Sequence, residues 1–373
     1  MTTTSTTAAE SLARQMSNRV SQSVFDGSRL RVVLLVDVHE GAQQQFLEAY
    51  EQLCNQVASV PGHVSDQLCQ SVENPSQWLI TSEWESAPPF LTWVNSEEHV
   101  RMVEPLHSCV RDTRSLRFHI VRETGGPSQA DPGERRLQAS PRIGDGLIRH
   151  ALTFTVKPGS EAAVAAILSD YDPPEARVDD TTRLCRTSLF MHGNRVVRAI
   201  EVRGDLMAAL RHVARQPQVR AVEEAINPYL EQDRDLDDPE SARVFFTRAA
   251  LPAVHHVTAG EPDPETERHA LYYPARPGCG LRLAELLARQ DEAVADDPRS
   301  PVVRSTLFER DQVVVRLIDV RGGLDAADPA LVLGIPDPGP LAELTTLPGD
   351  GDLTRLLKLA RMQLVTDRRS AEA

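Results

Sequence analysis

Residues 196–206 read VVRAIEVRGDL and residues 314–324 read VVRLIDVRGGL, identical at eight of eleven positions and 118 residues apart. A repeat of that length exceeds a solenoid or propeller unit, so each copy has the size of a whole small domain. The same register sets Arg149-His150-Ala151-Leu152 beside Arg268-His269-Ala270-Leu271, and Lys157-Pro158-Gly159 beside Arg276-Pro277-Gly278 one residue later. One more step back finds a third, more diverged copy, with Arg31-Val32-Val33-Leu34 under Arg149 to Leu152 and Glu83-Trp84 under Glu201-Val202. The function is therefore to be sought in one domain type used three times.

Units of about 100 residues are large enough to close a core of their own. The expected division is a mobile tail over 1–28, repeats over 29–124, 146–250 and 265–373, and linkers over 125–145 and 251–264, where Gly, Pro and charge concentrate. A net charge of -14 and the lack of basic runs argue against nucleic acid or an anionic membrane as partner. No 18-residue apolar stretch or signal-like start is present, so a soluble, cytoplasmic protein is expected. Five cysteines without CxxC spacing read as reduced thiols, and the absence of HxH, HExxH or a carboxylate cluster predicts no metal.

Within each copy the hydrophobic pattern runs strand, helix, strand, strand, helix, strand. In the first, Leu30 to Val38 is an almost continuous apolar run, Phe46, Tyr50, Leu53 and Val57 recur at helical spacing, and Glu73-Asn74-Pro75-Ser76 is a hairpin turn. The corresponding turns later are His192-Gly193-Asn194 and Glu309-Arg310-Asp311. This order is the ferredoxin-like motif, an α+β class in which helices cover one face of an antiparallel sheet. The bare faces of two such sheets satisfy one another by packing together, as in a dimeric α/β barrel. Three copies leave one over, which predicts that two pair inside the chain and the third pairs across a two-fold axis in a homodimer.

Candidate functional residues fall into two sets. All three tryptophans lie in the first copy; Trp78 and Trp84 share a strand face, and with Phe90 and Trp93 they are candidates to line a pocket for a flat ring system. His99 and His107 stand eight apart on a helix as candidate bases, and Arg117 and His119 alternate together on the closing strand. In the second and third copies Arg198 and Arg316 project from otherwise apolar faces, and His150 and His269 are in phase on the neighbouring strand. One reading makes each pair a base with an enolate-holding cation. The other makes each arginine half of a structural ion pair, with Glu201 or Asp319 as the acid. Arg243 and Arg361 occupy the places of Arg117, and His255-His256 falls at the second linker as an incidental pair.

The stretch Ser82-Glu83-Trp84-Glu85-Ser86, followed by a helix with Phe90, Trp93 and His99, resembles the strand-to-helix junction of the antibiotic biosynthesis monooxygenase domain. The Arg203-Gly204 and Arg321-Gly322 strand ends of the later copies resemble the SchA/CurD-like domain, whose members accompany aromatic polyketide clusters. The resemblance implies an oxygenase that uses O2 as co-substrate on a polycyclic aromatic polyketide, with no metal or flavin cofactor and with transient contact to type II polyketide synthase enzymes. In the anthrone-oxidising members an Asn four residues before the strand-three Trp and a Tyr six after it hold the substrate; here those places are Ile80 and Phe90. A polyketide cyclase working by aldol closure and a non-catalytic partner of the synthase complex are the alternatives on the same fold.

Overall fold

A computed structural model describes residues 20–123, 144–258, 265–295, 297–335, 338–348 and 351–370. They divide into two compact units, one of residues 23–123 and one of residues 20–22 with 144–370. Residues 1–19 of the expected tail, 125–143 of the first linker and 259–264 of the second lie outside the described residues. Strand β1 (Val20–Ser23) lies in the larger unit up to Gln22, and the smaller unit begins at its last residue.

The smaller unit runs β2 (Leu30–Val38), α1 (Gln43–Val57), β3 (His63–Gln70), β4 (Gln77–Trp84), α2 (Ala87–Val94), α3 (Glu97–His107) and β5 (Val110–His119). Its antiparallel sheet has the order β3-β4-β2-β5, which is the ferredoxin-like order. Helix α1 buries Phe46, Ala49, Tyr50, Leu53 and Val57, a stripe that recurs every three or four residues. The single second helix expected from the sequence is two: Ser96 caps α3 by accepting a hydrogen bond from the His99 amide at 3.1 Å, and Glu97 and Glu98 favour the helix start beside it. Alternation along the strands sends Leu30, Val32, Val36, Trp78 and Trp84 toward the helices. Val33, Leu35, Leu79 and Phe118 point the other way, and Leu35 and Phe118 are exposed.

The larger unit continues with β6 (Leu147–Thr155), α4 (Glu161–Ser169), β7 (Arg183–His192), β8 (Arg195–Arg203), α5 (Leu206–Ala214), α6 (Pro217–Ile226), α7 (Pro239–Ala249) and β9 (Ala250–Thr258). Then come β10 (Glu267–Pro274), α8 (Gly280–Ala295), β11 (Val302–Arg310), β12 (Val313–Val320), α9 (Pro329–Leu333), α10 (Gly339–Leu344), α11 (Leu353–Ala360) and β13 (Gln363–Arg369). The strands follow the order β10-β12-β11-β9-β6-β8-β7-β13. A hydrogen bond from the Met362 amide to the Ala270 carbonyl at 2.9 Å nearly closes this sheet into a barrel. Each half supplies the edge that the other half's last strand needs: β9 pairs β11, and β13 pairs β7.

Three expectations change here. Residues 250–258, taken partly as linker, are strand β9, and Arg243 stands on α7 instead of on a closing strand. Consequently His255 and His256 are buried in the sheet, His256 between the hydroxyls of Thr306 and Thr258 at 2.9 Å each. Residues 20–23 of the tail form β1 because the later half of β9 turns from β6 to β11, leaving an edge with which β1 pairs. Among the described residues no helix is long and apolar enough to cross a membrane.

Candidate active site

The arginines of the second and third copies carry their own counter-ions. Arg198 Nη1 donates to Glu223 Oε1 of α6 at 2.7 Å, and Arg234 Nη2 donates to Glu223 Oε2 at 2.8 Å. Arg316 Nε donates to Asp291 Oδ1 of α8 at 2.8 Å, and its Nη1 to the Val332 carbonyl at 2.6 Å. Both guanidinium groups lie on the helix-covered side of the sheet, with His150 opposite Ile200 and His269 opposite Ile318, two pairs along from each arginine and so on the same face. The expected neighbourhood of first and third strands is therefore present, but the acids that satisfy the arginines come from helices. Glu201 and Asp319, expected as those acids, face the barrel interior. There Arg268 bridges them, Nη2 to Glu201 Oε1 at 2.7 Å and Nε to Asp319 Oδ1 at 2.7 Å, and Arg186 ties Asp319 to Asp367. Burial alone would raise the Asp319 pKa, but Arg268, Arg186 and Arg304 pull it down to about 2. The cavity beside Arg316, Asp291 and Ser305 measures about 10 Å³, room for a single water.

The helix-covered face of the smaller unit is different in kind. Trp84 is fully buried and stacks on Trp93 of α2, with ring centroids 5.5 Å apart and planes 28° apart. Phe90 meets Trp84 edge-on at 5.4 Å, and His99 of α3 meets Trp93 edge-on at 4.2 Å. On the other flank His63, the first residue of β3, sets its ring edge-on to Trp84 at 5.2 Å. Trp78 lies further along β4 against Phe46, and His107 closes α3. Pairing of β2 with β5 brings Arg117 opposite Val32 and His119 opposite Leu30, on this same face. The Arg117 guanidinium lies 5.1 Å from the Phe90 centroid, and among the described residues no hydrogen bond or ion pair reaches it. Burial pushes the His119 pKa down, keeping the imidazole neutral at pH 7.

Three residues that sequence reasoning missed complete this face. Tyr50 of α1 donates its hydroxyl to Asp66 Oδ2 at 2.6 Å, and Asp66 Oδ1 stands 3.6 Å from His63 Nε2. His63 and Asp66 are three apart, so a strict alternation puts them on opposite faces. A register shift between His63 and Ser65 turns both toward the helices, with His63 opposite Trp84 and Asp66 opposite Ser82. The later copies shift at the corresponding place, between Leu184 and Arg186 and between Val302 and Arg304. Buried polar atoms without hydrogen-bond partners gather here: His63 Nε2, Trp78 Nε1 and Trp93 Nε1. Such atoms cost about 1–3 kcal/mol each when nothing satisfies them. Among the described residues no group of three or more His, Cys, Asp or Glu is arranged to hold a metal ion.

An antiparallel sheet with helices over one face, aromatics stacked beneath them and the exposed Arg117 guanidinium at the rim, defines an α+β module of the ferredoxin-like class. Residues 29–105 match the family model for antibiotic biosynthesis monooxygenase, and residues 147–259 match that for the SchA/CurD like domain. The chain is 62% identical over 365 residues to "Polyketide synthase CurD" of Streptomyces cyaneus, covering 94% of this chain and 98% of the relative. It is 59% identical over 369 residues to "Protein SchA" of Streptomyces halstedii, covering 95% and 96%. The chain belongs to the SchA/CurD family. Among solved structures it is similar to SnoaB, a cofactor-independent oxygenase from Streptomyces nogalater, at 18% identity and a TM-score of 0.24, over 26% of this chain and 96% of that one.

Proposed function

We propose that the chain is a cofactor-independent oxygenase that oxidises a polycyclic aromatic polyketide, hydroxylating it or converting it to a quinone, and that the first of three ferredoxin-like modules holds the substrate. One observation carries this reading: the stacked Trp84 and Trp93, flanked by His63 and His99, share a face with Arg117, which lies over Phe90 without a carboxylate partner. Triplet O2 reacts with an organic molecule through a one-electron step, which requires an electron-rich anion. A base, a cation facing the oxyanion and a dry aromatic wall supply that anion and keep it from being reprotonated. The substrate anion gives one electron to O2, the radical pair joins as a peroxide, and loss of water leaves the quinone. On the quinone route every electron comes from the substrate, so that route calls for no redox cofactor; hydroxylation keeps the same balance where the substrate ring is itself oxidised by two electrons, as from a hydroquinone to a hydroxyquinone.

The names of the relatives support the polyketide assignment, and the match of residues 29–105 supports the oxygenase assignment. Arg198 with His150 and Arg316 with His269 take structural roles here, since Glu223 and Asp291 already neutralise the arginines. We further propose that the exposed sheet face carrying Leu35 and Phe118 pairs with the same face of a second copy. Any contact with synthase enzymes is then transient.

The test is O2 uptake by metal-stripped protein with 1,8-dihydroxyanthrone, read beside the product spectrum. Uptake that survives stripping, with Arg117→Ala lowering turnover about 100-fold, is the expected result. Consumption of a poly-β-ketone by ring closure without O2 uptake moves the assignment to a cyclase. Failure of any aromatic ligand to quench the tryptophans, all three of which border this face, moves it to a non-catalytic partner.

A further inference from the structure

We infer that His63 is the proton acceptor of the first module's site, with Asp66 and Tyr50 as its positioning residues. The inference rests on the reading that this face binds an ionisable aromatic ligand, and it names the group that ionises it. The His63 side chain is 5% exposed, yet its Nε2 makes no hydrogen bond and stands 3.6 Å from Asp66 Oδ1. The carboxylate is fixed from its other side by the Tyr50 hydroxyl at 2.6 Å. A base whose far nitrogen faces a held carboxylate gains a counter-charge when it becomes imidazolium. Its ring edge meets Trp84, the centre of the aromatic stack, so a guest lying on that stack has its rim beside the imidazole.

The backbone around His63 is built for this placement. Gly62 has φ of +82°, and a Cβ there would stand 2.7 Å from the Pro89 ring, so only glycine lets β3 begin against the start of α2. The register shift at the next residue then brings Asp66 round beneath His63. The other ionisable groups near the pair are Cys54 on α1, whose pKa is raised by burial and by Asp66, Cys69 further along β3, and Glu85 beyond β4 beside Gly62. None of these is a cation that would hold Asp66 in place of His63. In the proposed step a phenolic or enolic O–H of the ligand gives its proton to the His63 nitrogen that faces away from Asp66. The electron pair stays on the ligand oxygen, and nothing is oxidised in this step.

The experiment uses the full chain and 1,8-dihydroxyanthraquinone, which does not consume O2 and changes its visible spectrum on ionising. Tryptophan quenching gives its affinity, and the visible band gives the pH midpoint at which the bound probe ionises. In the unsubstituted protein that midpoint is expected below the value for free probe. His63→Gln is expected to raise it by about one unit, a tenfold change in acidity. Asp66→Asn and Tyr50→Phe are expected to raise it by less, and Asp66→Glu to restore it in part. A midpoint that is the same in the unsubstituted protein and in His63→Gln overturns the inference while leaving the binding reading intact. Should His63→Gln fail to fold, an unchanged midpoint in both Asp66→Asn and Tyr50→Phe overturns it. No quenching by the probe in the unsubstituted protein instead removes the binding reading, and this inference with it.

Discussion

At the scale of single residues, burial decides which titratable groups serve as structure. Glu309 of β11 is 2% exposed, its Oε2 has no hydrogen-bond partner, and burial with the nearby Asp311 charge raises its pKa to about 8. It sits against the start of α8, where a Cβ on Gly280 would fall 1.8 Å from the Asp311 carbonyl. The folded state therefore binds this proton more tightly than the unfolded chain does. Stability from this group is complete below the ordinary glutamate pKa and is lost as pH rises toward about 8. Glu309→Gln is expected to flatten that decline, so that urea midpoints at pH 6 and pH 9 lie closer together than in the unsubstituted protein. A parallel shift at both pH values would show that the carboxyl does not titrate in this range.

Among elements, the helix that covers a strand determines what a charged residue on that strand can do. Arg198 and Arg316 repeat because the strand repeats, yet α6 answers the first with Glu223 and α8 answers the second with Asp291. Glu223 is shared with Arg234, and both arginines hold its pKa down against the effect of burial. Removing the acid leaves two buried guanidinium groups unpaired. Glu223→Ala is expected to cost about 3–5 kcal/mol in urea denaturation, whereas Arg220→Ala, which breaks exposed, solvent-screened pairs with Glu224 and Asp237, is expected to leave the urea midpoint nearly unchanged. Equal costs would mean that Glu223 is not the keystone of its cluster.

At the scale of the whole molecule, the two units solve the same problem differently. In the larger one the second sheet face is covered by the other half of the sheet, and the interior is filled at one end by Phe190, Val197, Phe308 and Val315 and further along by the Arg268, Glu201 and Asp319 network. In the smaller one Leu35 and Phe118 remain 42% and 50% exposed on the corresponding face, beside Glu83 with its Arg29 and Arg31 partners. A stable two-fold interface buries about 1,600 Å², the scale of one such sheet face against another. Sedimentation is expected to give a dimer, and Leu35→Asp combined with Phe118→Asp to give a monomer with unchanged circular dichroism. A monomer before substitution would mean that this face meets no second copy.

The sequence alone determined the α+β class and most of the element order, because hydrophobic period and turn chemistry are local and survive duplication; the repeated strand segment alone announces Arg198 and Arg316, and the tryptophan spacing alone places Trp78 and Trp84 on one face. Tertiary structure decided which face each charge meets. A guanidinium on a strand looks the same whether a substrate or a helix carboxylate neutralises it, and Glu223 is 25 residues and Asp291 is 25 residues from its arginine in opposite chain directions. The His63 and Asp66 pair was hidden for a geometric reason, since one extra residue in a strand inverts the alternation that a reader of the sequence must assume. Strand β9 was hidden for an energetic one: its last residues are held by β11, more than 40 positions later in the chain, and no local signal marks them as paired.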